Sequence, residues 1–290
     1  MRIIDILHED RPSLSFEVFP PKKETAFDSI RLSTEQIASL KPSFVSVTYG
    51  AGGGGARHYT LDIAKDLMET EGVSTLAHLT CVGSSKEDVT AYLQKMKEMG
   101  MENVMALRGD LPPGEEAGSV REFQHASDLI TYIREHGNFC IGGACYPEGH
   151  PESANMRGDV AALKKKVDAG ADFLTTQMVF DNSLLFQYLY TLREADIRVP
   201  VVPGIMPITK ARQLQRAIEL SGSFVPRRFT QLVDRFGSDD AAMRQAGIAY
   251  ATDQIMDLYA NGITHVHLYT MNDYTVASAI QGNLSAILKK

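Results

Sequence analysis

A chain of 290 residues with 44% hydrophobic and 22% charged residues has the balance of an ordinary globular protein, neither disordered nor fibrous. Its formal net charge of −7, from 29 Lys and Arg against 36 Asp and Glu, removes the electrostatic reason to expect nucleic acid or an anionic membrane surface as a partner. Cys81, Cys140 and Cys145 are too few, and odd in number, for a disulfide framework; no apolar run approaches the ~20 residues of a membrane span, and the opening MRIIDILHEDRP lacks the apolar core of a secretory leader, so a reducing cytoplasm is expected.

Short apolar, β-branched runs then alternate with longer segments whose apolar residues recur with the helical period. The first run, 14–19 (LSFEVF), is stopped by Pro20 and Pro21 and carries a single carboxylate, Glu17. Strand alternation sets Ser15, Glu17 and Phe19 on one face and Phe16 and Val18 on the other. Phe27, Ile30, Ile37 and Leu40 form a helical stripe, followed by strands at 44–48 (FVSVT) and 74–80 (STLAHLT). Val89, Tyr92, Leu93 and Met96 share a helical face behind Ser85 and Asp88, a capping-box spacing. Strands at 103–107 (NVMAL), 139–144 (FCIGGA), 173–177 (FLTTQ), 200–205 (PVVPGI) and 264–269 (THVHLY) follow in turn. Between them lie the stripes Leu129/Ile130/Ile133, Val160/Leu163/Val167 and Ile248/Ala251/Ile255/Leu258. The last two end at Gly170 and Gly262, as helices commonly do. Residues 221–240 read as an extra helical insertion.

Strand and helix repeated eight times argue for parallel strands with crossover helices. Eight units in this length fit a closed (β/α)8 barrel, the TIM-barrel architecture of the α/β class, better than an open sheet. No linker rich in Pro, Gly or Ser divides the chain, so residues 1–290 are expected to form a single (β/α)8 catalytic domain with the insertion near 221–240.

Active sites of such barrels lie at the C-terminal ends of the strands, and the unusual residues follow the strands here. They are PPKKE, YGAGGGGAR, CVGSS, RGDLPPG, CYPEGHPE, Gln177, MPIT and YTMND. Gly50 to Gly55 satisfies G-x-G-x-x-G between a strand and a helix, but a dinucleotide fold needs an open, doubly wound sheet. The stretch reads alternatively as a flexible loop, or as one that lets a flat ligand approach the backbone. His78 with Cys81, Cys145 with His150, and His265 with His267 do not reproduce a metal ligand set, so no metal is expected. Arg108, Gly109 and Asp110 run into Leu111-Pro112-Pro113-Gly114, and Tyr146 to Pro151 is stiffened by prolines. A cation, two acids, a Tyr and a His on rigid loops at one mouth suggest a polar cofactor site. Lys164, Lys165 and Lys166 either add phosphate contacts or form a solvated helix face.

SFEVFPPK, FVSVTYGA, HLTC, ALRGDLPPG, CYPEGHPE, LKKKVDAGAD, TQMVFD, PGIMPI and HLYTMN together resemble, in order, the motifs of the methylenetetrahydrofolate reductase family, and they run over residues 15 to 272. The length resembles the short bacterial form, without the regulatory domain of eukaryotic relatives. The resemblance implies a (β/α)8 barrel that binds FAD non-covalently and reduces 5,10-methylenetetrahydrofolate to 5-methyltetrahydrofolate, with NADH or NADPH as electron donor. It implies FAD contacts at Tyr49, Ala51, His78, Arg108, Gly109, Asp110, Ala126, Tyr146, His150, Asp159, Lys165 and Lys166, with Thr48 near the nicotinamide or flavin. Gln177, Gln213 and Tyr269 become folate contacts, and the glycine stretch becomes part of the flavin platform. Family members of this kind act in one-carbon metabolism and methionine biosynthesis, and a homo-oligomer is expected. The alternative is the same folate-binding flavoprotein served by a partner protein as electron donor.

The chemistry then gives Glu17 a task. The folate methylene bridge is a poor hydride acceptor until its five-membered ring opens to a cationic iminium, and opening needs a proton at the departing N10. A carboxyl among Phe16, Val18 and Phe19 should have a raised pKa, because burial disfavours its charged form. Asp110, the second expected catalytic residue, would supply a fixed negative charge near flavin and pterin. Two positions depart from the family: Ala217 stands where some members have an aromatic against the folate ring, and Asp273 where some have an Arg.

Overall fold

The computed structural model describes residues 1–21, 27–49, 56–110 and 121–288. A short helix α1 (Ile3–Leu7) precedes the strands β1 (Ser13–Val18), β2 (Val45–Val47), β3 (Thr75–Thr80), β4 (Asn103–Leu107), β5 (Cys140–Cys145), β6 (Phe173–Met178), β7 (Val201–Ile205) and β8 (His265–Tyr269). Each strand pairs in parallel with the next, and β8 pairs with β1, which closes the barrel. Every strand expected from the sequence is present, with both ends within one residue of the expected position, because apolar β-branched runs were bounded by Pro, Gly and polar residues.

Between strands lie α2 (Phe27–Ser39), α3 (Ala56–Glu71), α4 (Lys86–Glu98), α5 (Ala126–His136), α6 (Met156–Asp168) and α7 (Asn182–Glu194). Three helices, α8 (Ala211–Ser221), α9 (Arg227–Phe236) and α10 (Asp240–Ala260), separate β7 from β8, and α11 (Tyr274–Asn283) and α12 (Ser285–Leu288) close the chain. The start of α4 carries both hydrogen bonds of a capping box, Asp88 N to Ser85 Oγ and Ser85 N to Asp88 Oδ2. Gly170 and Gly262, just past α6 and α10, take φ of 114° and 82°, the backbone region that glycine enters without strain.

Two apolar layers follow from strand alternation. Outward residues such as Phe16, Val18, Val47, Leu79 and Val104 pack under Ile37, Leu67, Leu93 and Ile133 of the surrounding helices. Inward residues Phe44, Leu76, Met105, Cys140, Phe173 and Val202 fill the lower barrel, and Ile3 and Leu7 of α1 plug it from below. Buried Asn103 fixes that plug: its Oδ1 accepts from Ile3 N at 2.8 Å, and its Nδ2 donates to Met1 O and Thr75 O, each at 3.1 Å. In the inserted α9, buried Phe229 stacks between Phe180 at 5.7 Å and Tyr250 at 4.3 Å. Gly247 lets α10 close on the β7–α8 loop, since a Cβ there would meet Ile208 O at 1.9 Å. The three cysteines are free and buried. No helix among the described residues is long and apolar enough to cross a membrane.

The floor of the barrel is therefore filled and its polar groups lie above. Asn103→Ala should strand buried backbone groups and lower stability by about 2–3 kcal/mol, read as a reduced denaturant midpoint at unchanged slope.

Candidate active site

The register of three strands assembles the polar upper barrel. Glu17 pairs across to Ser46 of β2 and Tyr269 of β8, and Ser15 pairs with His267. Inward alternation then brings the polar side chains of Ser15, Glu17, Ser46, His78 and His267 together. Ser46 Oγ lies 3.4 Å from Glu17 Oε2 and 3.0 Å from His267 Nε2, and Ser15 Oγ lies 2.7 Å from His267 Nδ1. His78 Nε2, from β3, lies 3.8 Å from the same Glu17 Oε2 and has no hydrogen-bond partner among the described residues. The His267 ring is held flat on Phe44, 5.6 Å away at 14°, with Tyr269 at its edge.

Burial dominates the electrostatics. It pushes the Glu17 carboxyl up from 4.5 to about 8, because no cationic side chain among the described residues pairs with it and a buried carboxylate lacks solvation. A Ser46 hydroxyl pointed at the carboxylate would oppose that shift. The same burial pushes His78 down to about 4 and His267 down to about 3, so both imidazoles are neutral at neutral pH. Glu17 nevertheless keeps 23% of its side chain exposed, so the acid is reachable from the mouth. Its proton is thus both retained and accessible.

The neighbouring backbone is pinned from β8. Thr270 Oγ1 donates to Glu17 O at 2.5 Å, and Asn272 exchanges two hydrogen bonds with the backbone of Phe19, at 3.0 and 2.9 Å. The turn that makes this possible sets Met271 and Asn272 at φ 53° and 56°, a region that costs a non-glycine residue energy and is found where function requires it. Tyr269 donates to Thr176 O at 2.6 Å, and burial, with the nearby Glu17 charge, pushes its phenol well above the usual range. Its ring lies over Gly204, where a Cβ would come within 2.5 Å of it. Beside it Gln177 accepts from Met178 N at 2.9 Å through Oε1.

A second group gathers on the loops after β4 and β5. Arg108 donates twice to Glu152, at 2.6 and 2.7 Å. The ring of Tyr146 meets His150 edge-on at 4.7 Å, and Lys166 Nζ sits 5.9 Å from the Tyr146 centroid while donating to Ala144 O. Burial lowers the Lys166 and His150 pKa values. Asp159 is buried and accepts from Ser153 Oγ at 3.1 Å. Gly109 follows Arg108 at φ 86°, where a Cβ would press Thr80 at 3.0 Å, and Asp110 beyond it is exposed.

The remaining expected residues are scattered more widely. Thr48 accepts from Thr60 at 2.9 Å through its carbonyl, and Tyr49 packs edge-on against Tyr92 at 5.6 Å. Ala126 is buried at the start of α5, and Lys165 is exposed on α6. Gln213 uses its Oε1 to cap α8, accepting from Thr209 N at 2.8 Å and Lys210 N at 2.9 Å. Ala51, with the rest of 50–55, and Leu111 to Gly114 lie outside the described residues. Sequence reasoning set Ser15 on the face of Glu17 without giving it a role, and did not single out Ser46, Glu152 or Asn272. Their signal is position: Ser46 lies in the middle of the strand block FVSVT, and Glu152 and Asn272 lie in the blocks CYPEGHPE and YTMND that follow strands. Ala217 is buried in the cluster around Phe229. Asp273 caps α11 and receives two 3.0 Å hydrogen bonds from Arg244. Among the described residues no group of three His, Cys, Asp or Glu side chains is placed to hold a metal ion.

A closed (β/α)8 barrel with polar and charged side chains gathered at the C-terminal ends of its strands has the architecture of a barrel enzyme. The family model of methylenetetrahydrofolate reductase matches residues 2–285, and the chain belongs to that family of oxidoreductases. It is 36% identical over 272 residues to the 5,10-methylenetetrahydrofolate reductase of Pectobacterium carotovorum subsp. carotovorum, covering 94% of this chain and 90% of that one. To the Escherichia coli (strain K12) protein of the same name it is 34% identical, covering 92% and 89%. To methylenetetrahydrofolate reductase (NADH) 1 of Arabidopsis thaliana it is 35% identical over 99% of this chain, but it spans only 51% of that relative. Among solved structures it shares its fold, at a TM-score of 0.70 and 14% identity, with an uncharacterized protein from Clostridium thermocellum that binds two copies of 5-methyl-5,6,7,8-tetrahydrofolic acid, covering 98% of this chain and 100% of that one.

The raised carboxyl has a measurable consequence for stability. Between pH 4.5 and about 8 the folded state keeps a proton on Glu17 that the unfolded chain releases, so this group's contribution to stability falls as pH rises through that window. His78 and His267 act oppositely, losing stability as pH falls below 6.5 toward about 4 and about 3. Glu17→Gln should therefore gain on the wild type as pH rises across the Glu17 window, by about 2–4 kcal/mol after allowance for partial exposure. Denaturant midpoints measured against pH would contradict this if the difference stayed constant.

Proposed function

We propose that the protein reduces 5,10-methylenetetrahydrofolate to 5-methyltetrahydrofolate, with Glu17 as the acid that protonates the departing N10. The observation that carries this reading is a carboxyl held neutral by burial yet open to the mouth. An acid that keeps its proton near neutral pH is what ring opening demands. The names of the bacterial relatives state a reductase of the same folate.

FAD is the proposed resident cofactor, and the residues present fit it. His78 offers a buried, unpartnered Nε2. Arg108, Lys166 and His150 surround Tyr146 with donors suited to a diphosphate. Gly109 presents bare backbone where a side chain would strain. In this reading Tyr49, Ala51, Gly109, Asp110, Ala126, Asp159 and Lys165 complete the FAD site, with Thr48 beside the reacting ring. Bound FAD supplies a hydride carrier that takes electrons from one substrate and gives them to the next. NADH is the favoured donor, since the plant relatives carry it in their names, and NADPH remains the second choice.

Donor and folate use the same mouth in turn, a ping-pong order. Gln177 keeps its Nε2 for the pterin while Oε1 is occupied by Met178 N, and Gln213 keeps its Nε2 while capping α8. Tyr269 walls the folate side, and Asp110 places a negative charge that favours the iminium cation.

The two half-reactions separate the roles. In stopped-flow mixing, Glu17→Gln should accept electrons from NADH at near wild-type rate, while its oxidation by methylenetetrahydrofolate falls roughly 10²- to 10⁴-fold. Equal loss in both halves would contradict the acid role. Purified protein that neither contains nor takes up flavin would contradict the cofactor.

A further inference from the structure

We propose that Thr176 is a positioning residue for the folate contact of Gln177: its hydroxyl holds a bulge in β6 that fixes which end of the Gln177 amide is offered to the ligand. The inference rests on the reading of Gln177 as a folate contact and adds what orients that side chain.

The bulge is visible in the pairing of β6 with β7. Leu174 and Thr175 pair with Val201 and Val202, but the next pair is Met178 with Gly204, so β6 advances three residues while β7 advances two. Leu174 N donates to Pro200 O at 2.8 Å. A parallel ladder continued evenly from there would send Gly204 N to Thr176 O and Met178 N to Gly204 O. In the bulge, Gly204 N donates to Thr176 Oγ1 at 2.8 Å, and Val179 N takes the place on Gly204 O at 3.0 Å. The Thr176 hydroxyl uses its own proton on Gln177 O at 2.7 Å. It therefore accepts from β7 and donates to the bulged residue, tying the two together. The Thr176 carbonyl accepts from the Tyr269 phenol at 2.6 Å.

The consequence falls on Gln177. Alternation from Phe173, which fills the lower barrel, already sets Gln177 on the inward face. The extra residue shifts Met178 N off the ladder, and Gln177 Oε1 accepts from it at 2.9 Å. A backbone N–H only donates, so the amide oxygen is the bound end and the two N–H groups of Nε2 are left for a ligand. The atom that Gln177 meets on folate must then be an acceptor. Bulges beside active sites commonly aim a side chain in this way. The surroundings hold this one in place: Thr176 is fully buried, and Ser223 Oγ, from the link between α8 and α9, donates to Met178 O at 3.0 Å. Gly204 makes the crowding possible, since a Cβ there would meet the Tyr269 ring at 2.5 Å and Thr176 O at 2.7 Å.

Calorimetric titration of the purified protein with 5-methyltetrahydrofolate tests this through a double-mutant cycle. Thr176→Val keeps the shape and removes the hydroxyl, and should weaken binding about tenfold, the size of one misplaced hydrogen bond. Thr176→Ser, which restores the hydroxyl, should bind as the wild type does. Gln177→Ala should weaken binding at least as much as Thr176→Val. In that background Thr176→Val should cost nothing further, because the hydroxyl acts through the amide. A loss from general disorder of the strand would instead add to that of Gln177→Ala. Additive losses, an unchanged Kd in Thr176→Val, or a Thr176→Ser protein as weak as Thr176→Val would each overturn the positioning role. If Thr176→Val does not fold, Thr176→Ala carries the same cycle with less bulk. Gln177→Ala that binds folate like the wild type would instead refute the folate contact itself.

Discussion

The upper barrel depends on one desolvated carboxyl. Glu17 sits on the inward face of β1 with no cationic partner among the described residues, and its neighbours His78 and His267 are driven neutral by the same burial. A cation at either position would ionise the acid and cancel its use as a proton donor near neutral pH. The filled floor beneath, closed by Ile3 and Leu7, keeps water from reaching the group from below. The β8 turn, with Asn272 and Thr270 bonded to the β1 backbone, holds it from above. Fold and chemistry meet in this arrangement, because barrel closure between β1 and β8 is also what brings His267 and Tyr269 to Glu17.

The two polar groups at the mouth differ in kind. The Glu17 group is uncharged and built from strand register. The Arg108 group is charged, lies on loops after β4 and β5, and already balances Arg108 against Glu152. Asp273 is likewise neutralised, by Arg244. It therefore presents a paired rather than a free charge. Ala217 is a small residue in a core that Phe229 of helix α9 fills.

The strands were legible because each apolar run is bounded by breakers, and the helix ends at Ser85, Gly170 and Gly262 because capping chemistry is local. The acid was legible because a carboxylate in an apolar strand is costly, and alternation assigned its face. Ser15 and Ser46 were not, since small hydroxyl residues are common in strands and gain meaning only once β2 and β8 flank β1. His267 was visible as half of a His-x-His pair, but its partners lie more than two hundred residues away in the chain. Glu152 was hidden because its partner Arg108 lies on a different loop, 44 residues away in the chain. The resemblance placed the functional blocks in order, while the distances that rank them come from the fold.

The central claim is that the folded protein delivers a proton from Glu17 near neutral pH. The rate constant for oxidation of the reduced protein by methylenetetrahydrofolate, measured in a single turnover across pH, tests it most directly. The account predicts a rate level at lower pH that falls through about 8, by about tenfold per pH unit beyond it. A rate that instead fell through 4.5, where an ordinary glutamate titrates, would contradict it.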